Sequence, residues 1–222
     1  MLTEHTKYYN EEGIQIPSVT TILKVLNKPA LVGWANKQGL KGISLLQATA
    51  YSIDVGNLLH HRINCYANNQ EPTFNDFCGK RAIAKSAKLF DNFLEYLVSR
   101  DGNIIASEVK LVSTTGRFGG TLDLVVEVGE EDPQCETVRC QEVWDIKTST
   151  DIWPEHLIQV CAYTILWHEH MRLLARPRVV LIPKSGKLYA PDMEENVESI
   201  CNRIWDLAVP LWYVRKQLDD LL

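Results

Sequence analysis

Asp145-Ile146-Lys147 places a carboxylate and an ammonium two positions apart. On a strand, residues i and i+2 point to the same face, so both groups can work on one atom. The carboxylate can hold a divalent cation. The lysine can orient or help deprotonate an attacking water and offset charge developing on a phosphate. A neighbouring cation would also push the lysine towards its neutral form. An Asp-x-Lys triplet arises by composition roughly once in a chain of this size, so its weight comes from its surroundings.

The preceding stretch reads Gly119-Gly120-Thr121-Leu122-Asp123. Asp123 falls near the start of one strand and Asp145 near the end of the next, and an antiparallel hairpin can set such positions opposite each other. Two carboxylates on neighbouring strands can chelate one hard cation. The paired glycines let another backbone or a phosphate approach closely; a β-bulge with one exposed Asp is the plainer account. Gln159 and Tyr163 are four apart and share a helix face. Gln can bond a phosphate or the lysine, and Tyr can contact phosphate or stack on a base, although simple packing explains the pair more economically. Gly56 and His60 form another pair four apart. Glycine costs helix stability, so Gly56 suggests tight packing there, and His60 is either a packed residue or an imidazole ligand. Glu108, on an earlier strand, either adds an outer acid or faces solvent.

These groups need a scaffold. Two β-like pieces, Lys7–Tyr9 and Ile14–Ile16, flank the turn Asn10-Glu11-Glu12-Gly13. Ser18 reads as an N-cap before a helix over Val19–Leu26. Further helices are expected over Ala30–Gly39, Leu45–Ala67 and Gly79–Arg100; in the last, Ile83, Ala87, Phe90, Leu94 and Leu97 recur at helical spacing. Ile104–Val112, Gly119–Val128 and Val138–Lys147 read as strands, with an acidic, Pro-containing hairpin loop over Gly129–Glu136. A helix follows over Pro154–Leu174, then a strand over Arg178–Ile182. The last helix covers Glu194–Leu221 with a kink expected at Pro210, and Ile200, Ile204, Leu207, Leu211, Val214, Leu218 and Leu221 form its core stripe. The order implies one α/β domain over 1–222. Residues 1–100 would be mainly a helical annex and first core helix, 101–190 the sheet and the Gln159/Tyr163 helix, and 191–222 a closing helix.

Net charge is −5, which by itself argues against a protein that coats nucleic acid. Residues 18–90, however, carry nine Lys/Arg against three acids, whereas 101–222 carry twelve against twenty. That asymmetry suits an enzyme holding phosphates on one side and metal on the other, and equally suits ordinary solvated helix faces. No apolar run approaches a membrane span and no signal peptide opens the chain, so a cytoplasmic protein (host cytoplasm if viral) with no membrane partner is expected. The six cysteines, at 65, 78, 135, 140, 161 and 201, form no C-x-x-C pair and read as scattered reduced thiols.

In chain order the pieces are G-x-x-x-H, E, G-T-x-D, D-x-K-T-S and Q-x-x-x-Y. This series resembles the RecB-like branch of the PD-(D/E)XK nuclease superfamily, in particular phage-type and mitochondrial-maintenance-type exonucleases. The opening Pro17-Ser18-Val19-Thr20-Thr21-Ile22-Leu23 also looks like their N-terminal segment. The resemblance, over about residues 7–185, implies a restriction-endonuclease-like core: a central mixed sheet flanked by helices. It implies that His60, Asp123, Asp145 and the backbone carbonyl of Ile146 bind Mg²⁺ or Mn²⁺. Lys147 would be the catalytic lysine, Gln159 and Tyr163 would position substrate and lysine, and Glu108 would act secondarily near the metal. Relatives that add an iron–sulfur cluster use one upstream cysteine and a downstream group of three; here none precedes Cys65 and only Cys201 follows Q-x-x-x-Y, so no such cluster is expected. The partner would be DNA, as single strands or duplex ends. Contacts are expected from Ser18, Thr20 and a stripe of Arg81, Lys85 and Lys88, with Trp34, Tyr51, Trp153 or Tyr163 stacking on bases or packing in the core. The implied activity is a DNA exonuclease; alternatives are a structure-specific endonuclease, an RNA-cutting enzyme of the same fold, a catalytically idle DNA-binding subunit, and a structural metal domain.

Overall fold

The computed structural model describes residues 6–26, 29–74, 79–130, 138–185 and 187–221. Cys78, Cys135 and most of the acidic hairpin loop lie outside the described residues. A short hairpin, β1 (Tyr8–Tyr9) and β2 (Gln15–Ile16), opens the chain. Helices α1 (Val19–Ile22), α2 (Pro29–Gly39), α3 (Leu45–Ala67) and α4 (Lys80–Ser99) follow, then strands β3 (Asn103–Val112), β4 (Gly119–Glu130) and β5 (Val138–Lys147). Helix α5 (Pro154–Met171), strand β6 (Ala175–Leu181) and helix α6 (Glu195–Asp219) complete the order.

The fold is α/β, with one four-stranded mixed sheet ordered β3-β4-β5-β6 and flanked by helices. β3, β4 and β5 are antiparallel neighbours, and β6 lies parallel to β5. A parallel neighbour needs a crossover, and α5 supplies it. β4 carries the unbroken run Leu124, Val125, Val126 with no exposed surface, because helices cover both faces of the sheet. On one face Leu122, Val125 and Val143 pack with α1, α5 and α6. On the other, Leu124, Val126, Trp144 and Ile146 pack with Val55, Leu59 and Ile63 of α3 and Leu89, Phe93 and Leu97 of α4. Each such fully buried side chain contributes about 1.5–3 kcal/mol. Helix α4 is a core helix, and α3 joins it in that layer rather than in an annex; α2 is the helix whose described side chains stay largely exposed.

Local signals set most boundaries. Ser44 caps α3 by accepting from Gln47 N, while Gln47 Oε1 accepts from Ser44 N. The first helix is shorter than expected: four α-helical residues pass into a 3₁₀ turn, Leu23–Val25. Helix α5 stops at Met171 because Arg172 turns left-handed, with its N–H on His168 O. Strand β6 begins at Ala175, three residues early, through pairing with Gln141. Pro177 is tolerated there because β6 is an edge strand.

Helix α6 corrects the expected core stripe. Its buried residues are Cys201, Trp205, Ala208 and Val209, while Ile200, Leu207, Leu211, Val214, Leu218 and Leu221 are exposed. The apolar row read from the sequence lies beside the one that α1 and α5 cover. The helix runs through Pro210 without a break. In α4 the most buried residues, Ala82, Ser86, Leu89 and Phe93, likewise sit one position before the expected row, rejoining it at Leu97.

Candidate metal centre and active site

The site lies where β3, β4 and β5 meet the C-terminal half of α3. The β4–β5 register pairs Leu124 with Trp144, and one step further it sets Asp123 across from Asp145, as the hairpin argument expects. Asp123 Oδ2 accepts from the backbone N–H of Ile146 at 2.8 Å. His60 reaches in from α3, with Nε2 donating to the Ile146 carbonyl at 3.2 Å. Its Nδ1 lies 3.6 Å from Asp123 Oδ1 and 3.9 Å from Glu108 Oε1. One ligand atom each from His60, Glu108 and Asp123 falls within a 4.8 Å cluster.

Glu108, expected as an outer acid, belongs to this inner group. On β3, Ser107 pairs with Leu124 and Val109 with Leu122, which sets Glu108 beside Asp123. Glu108 is left-handed, φ +51°, a costly conformation for a non-glycine residue within a strand. Alternation breaks on both strands at this level: Ala106 and Val109, three apart, bury on the α5 face, as do Leu122 and Val125. Nothing in the sequence signals this paired kink, which brings the Glu108 and Asp123 carboxylates to His60.

Asp145 sits just behind the cluster. It is fully buried; among the described residues Oδ1 has no hydrogen-bond partner, and Oδ2 meets only the Lys147 ammonium, 2.5 Å away. Burial raises its carboxyl above the ordinary range, with Lys147 pulling the other way. His60 is partly buried, which disfavours its charge, but Asp123 and Glu108 outweigh this and raise it to about 9. A histidine must lose its proton to bind a metal, so proton and cation compete for this acidic pocket. A buried carboxylate oxygen without a partner, two further carboxylates, an imidazole and a strand carbonyl are the oxygen-rich donor set that suits Mg²⁺ or Mn²⁺.

On the α5 side, Gln159 Nε2 donates to Tyr163 Oη at 2.9 Å. Burial, with Asp145 and Asp123 nearby, pushes the Tyr163 hydroxyl well above its usual range. The glycines before Asp123 serve these rings rather than admitting a phosphate. A Cβ on Gly120 would lie 2.8 Å from Tyr163 Cε1 and 3.0 Å from Leu166 Cδ1, and one on Gly119 would lie 2.4 Å from the Tyr8 ring. Gly120→Ala is expected to cost about 1–3 kcal/mol by overpacking, read as an earlier thermal midpoint. At Gly56 a Cβ would meet only Thr148 Oγ1 at 3.4 Å, so the tight packing expected there is not found.

Two neighbours escaped the sequence reading. Tyr8 hydrogen-bonds Thr121 Oγ1 at 2.7 Å and leans over Gly119. Lys184 Nζ, its charge disfavoured by burial, donates to Thr148 O just past Lys147. Both lie far from Asp145 in sequence, and no spacing rule links them to it. The residues expected to contact nucleic acid lie on α1 and α4 and at the starts of α1 and α5. Ser18 Oγ is committed as an N-cap, accepting from Thr21 N and bonding the Thr20 and Thr21 hydroxyls. Arg81 stacks on Tyr51, nine residues or about 13 Å along α3 from His60. Arg81 and Lys88 are exposed and Lys85 is partly so. Trp153 is half-exposed at the start of α5.

No protein-family model and no curated protein matches the chain. The chain is similar to a solved structure described as "Crystal structure of SSO0001", with a TM-score of 0.30 and 16% identity, over 71% of this chain and 74% of that one. A likeness of that degree carries no argument about fold or activity. Among the described residues, no helix is long and apolar enough to cross a membrane.

Proposed function

We propose that the protein is a Mg²⁺- or Mn²⁺-dependent deoxyribonuclease of the PD-(D/E)XK type with a restriction-endonuclease-like core. It would act in the cytoplasm as an exonuclease on DNA ends or single strands in replication, repair or recombination. One observation carries the reading: His60, Glu108 and Asp123 converge beside the Ile146 carbonyl and a buried Asp145–Lys147 pair. His60, Glu108, Asp123, Asp145 and the Ile146 carbonyl would hold the cation. A bound cation of this kind neutralises phosphate charge and acidifies water. Lys147 is held by Asp145, so its side-chain nitrogen is fixed where it can orient a water, give a proton as the ammonium and take one as the amine. Gln159 and Tyr163 wall the site from α5 and fix the approach to that lysine. The basic face of α4 supplies counter-charge for a phosphate backbone.

The test is a time course on linear DNA labelled in parallel at its 5′ and 3′ ends, with and without Mg²⁺, beside covalently closed single-stranded DNA. Metal-dependent loss of label from linear DNA with the circle untouched is the expected result. Cutting of the circle makes the enzyme an endonuclease. Binding without cleavage in Mg²⁺ and in Mn²⁺ leaves a DNA-binding subunit and removes the enzyme reading.

A further inference from the structure

A lysine drawn out of water needs an anion to restore what its ammonium loses in hydration. Lys147 has one in Asp145. Lys184 has none. It is partly buried, and Nζ donates to a neutral group, the Thr148 carbonyl, at 3.3 Å. Among the described residues, no charged group offsets the burial of that ammonium.

The sheet sets its place. Strands β5 and β6 run parallel and end together: Lys147 pairs with Leu181, and Ile182 N donates to Lys147 O at 2.7 Å. The segments that leave the sheet there, 148–150 and 182–185, start side by side. They lie outside the carboxyl ends of parallel strands, where open α/β sheets leave a crevice for ligands. Lys184 bridges the two segments through Thr148 O. Thr148 is two residues, at most about 7 Å of chain, beyond Ile146, whose carbonyl meets His60. Its own Oγ1 lies 3.4 Å from where a Cβ on Gly56 would stand, and Gly56 is one helical turn before His60. The unpaired ammonium therefore borders the metal cluster without entering it.

We propose, resting on the deoxyribonuclease reading, that Lys184 binds the phosphate next to the scissile one and so sets the register of the strand in the site. Thr148 O occupies one of its three N–H bonds, which leaves two for phosphate oxygens. An ammonium meets phosphate as a point charge, so Lys184 grips every sequence alike and reads no base. Its role is positioning, apart from the proton handling given to Lys147.

Binding of a labelled single-stranded oligonucleotide, followed by anisotropy in Ca²⁺ across a range of salt, tests this. Lys184→Met should weaken binding about ten-fold. It should also flatten the slope of log affinity against log salt by about 0.7, the value of one phosphate contact on a single strand. Lys184→Arg should stay near the parent, because a guanidinium still donates to phosphate. With Mg²⁺ and saturating linear DNA, the methionine variant should cut at the parental rate, its loss confined to KM. Lys184→Gln, which can keep the bond to Thr148 O, replaces it should the methionine variant fail to fold. The control is Arg139→Gln, at the other end of β5, about 26 Å from Lys147; it should bind as the parent does. Parental affinity and salt slope in the methionine variant overturn the assignment, and leave the deoxyribonuclease reading standing where the parent cuts DNA. A lower cutting rate at saturation, or equal weakening by Arg139→Gln, overturns it too. A parent that neither binds nor cuts linear DNA removes the deoxyribonuclease reading itself, and the role of Lys184 falls with it.

Discussion

Lys147→Ala is expected to lower metal-dependent DNA cleavage by on the order of 10³-fold or more while the chain still folds. Among the described residues, the ammonium is the one cation within contact of the fully buried Asp145 carboxylate. Its loss removes both the proton-handling group and the charge facing the phosphate. It also leaves Asp145 without a partner, which costs stability of about 1–3 kcal/mol, a fraction of an ordinary domain's total. Lys147→Arg separates the two effects. A guanidinium keeps a positive charge beside Asp145 but does not give up a proton at any working pH. The arginine variant should recover the thermal midpoint and leave cleavage near the alanine level. Parental cleavage by either variant would remove Lys147 from the chemistry, whatever the protein proves to cut.

The legible parts of this molecule obey period rules. Two-residue alternation put Asp145 and Lys147 on one face, and the four-residue helical repeat put Gln159 beside Tyr163. Hairpin register brought Asp123 across from Asp145 without any measurement of loop conformation. The illegible parts depend on what lies opposite. The left-handed turn of Glu108 is held by both neighbouring strands, and no local residue preference predicts it. Helix α6 carries two adjacent apolar rows. Its sequence does not say which row α1 and α5 will cover, and the more regular of the two faces outward. Tyr8 and Lys184 join the site from opposite ends of the chain, where only the fold relates them to it.

The least legible feature carries the largest expected effect on stability. Glu142, with no exposed surface, accepts two hydrogen bonds from Arg178, at 2.6 Å each, one from Arg100 at 3.0 Å and one from Trp144 Nε1 at 2.6 Å. Arg178 also donates to Ala190 O at 3.1 Å and to Asp192 at 2.5 Å. In the sequence these charges belong to four separate segments and look like ordinary surface residues. In the fold they join β5, β6, α4 and the segment before α6 in one buried network. Breaking such a pair from one side strands the other charge in a dry interior, at about 3–5 kcal/mol. Arg178→Met should lower the unfolding free energy read from a urea titration by that amount, although it sits on the sheet face opposite Tyr163. Replacing both partners, Glu142→Leu with Arg178→Met, removes the stranded charge and should recover much of the loss. A double variant as unstable as the single one would mean that the network is needed for the packing of its methylene stems and not for its charge.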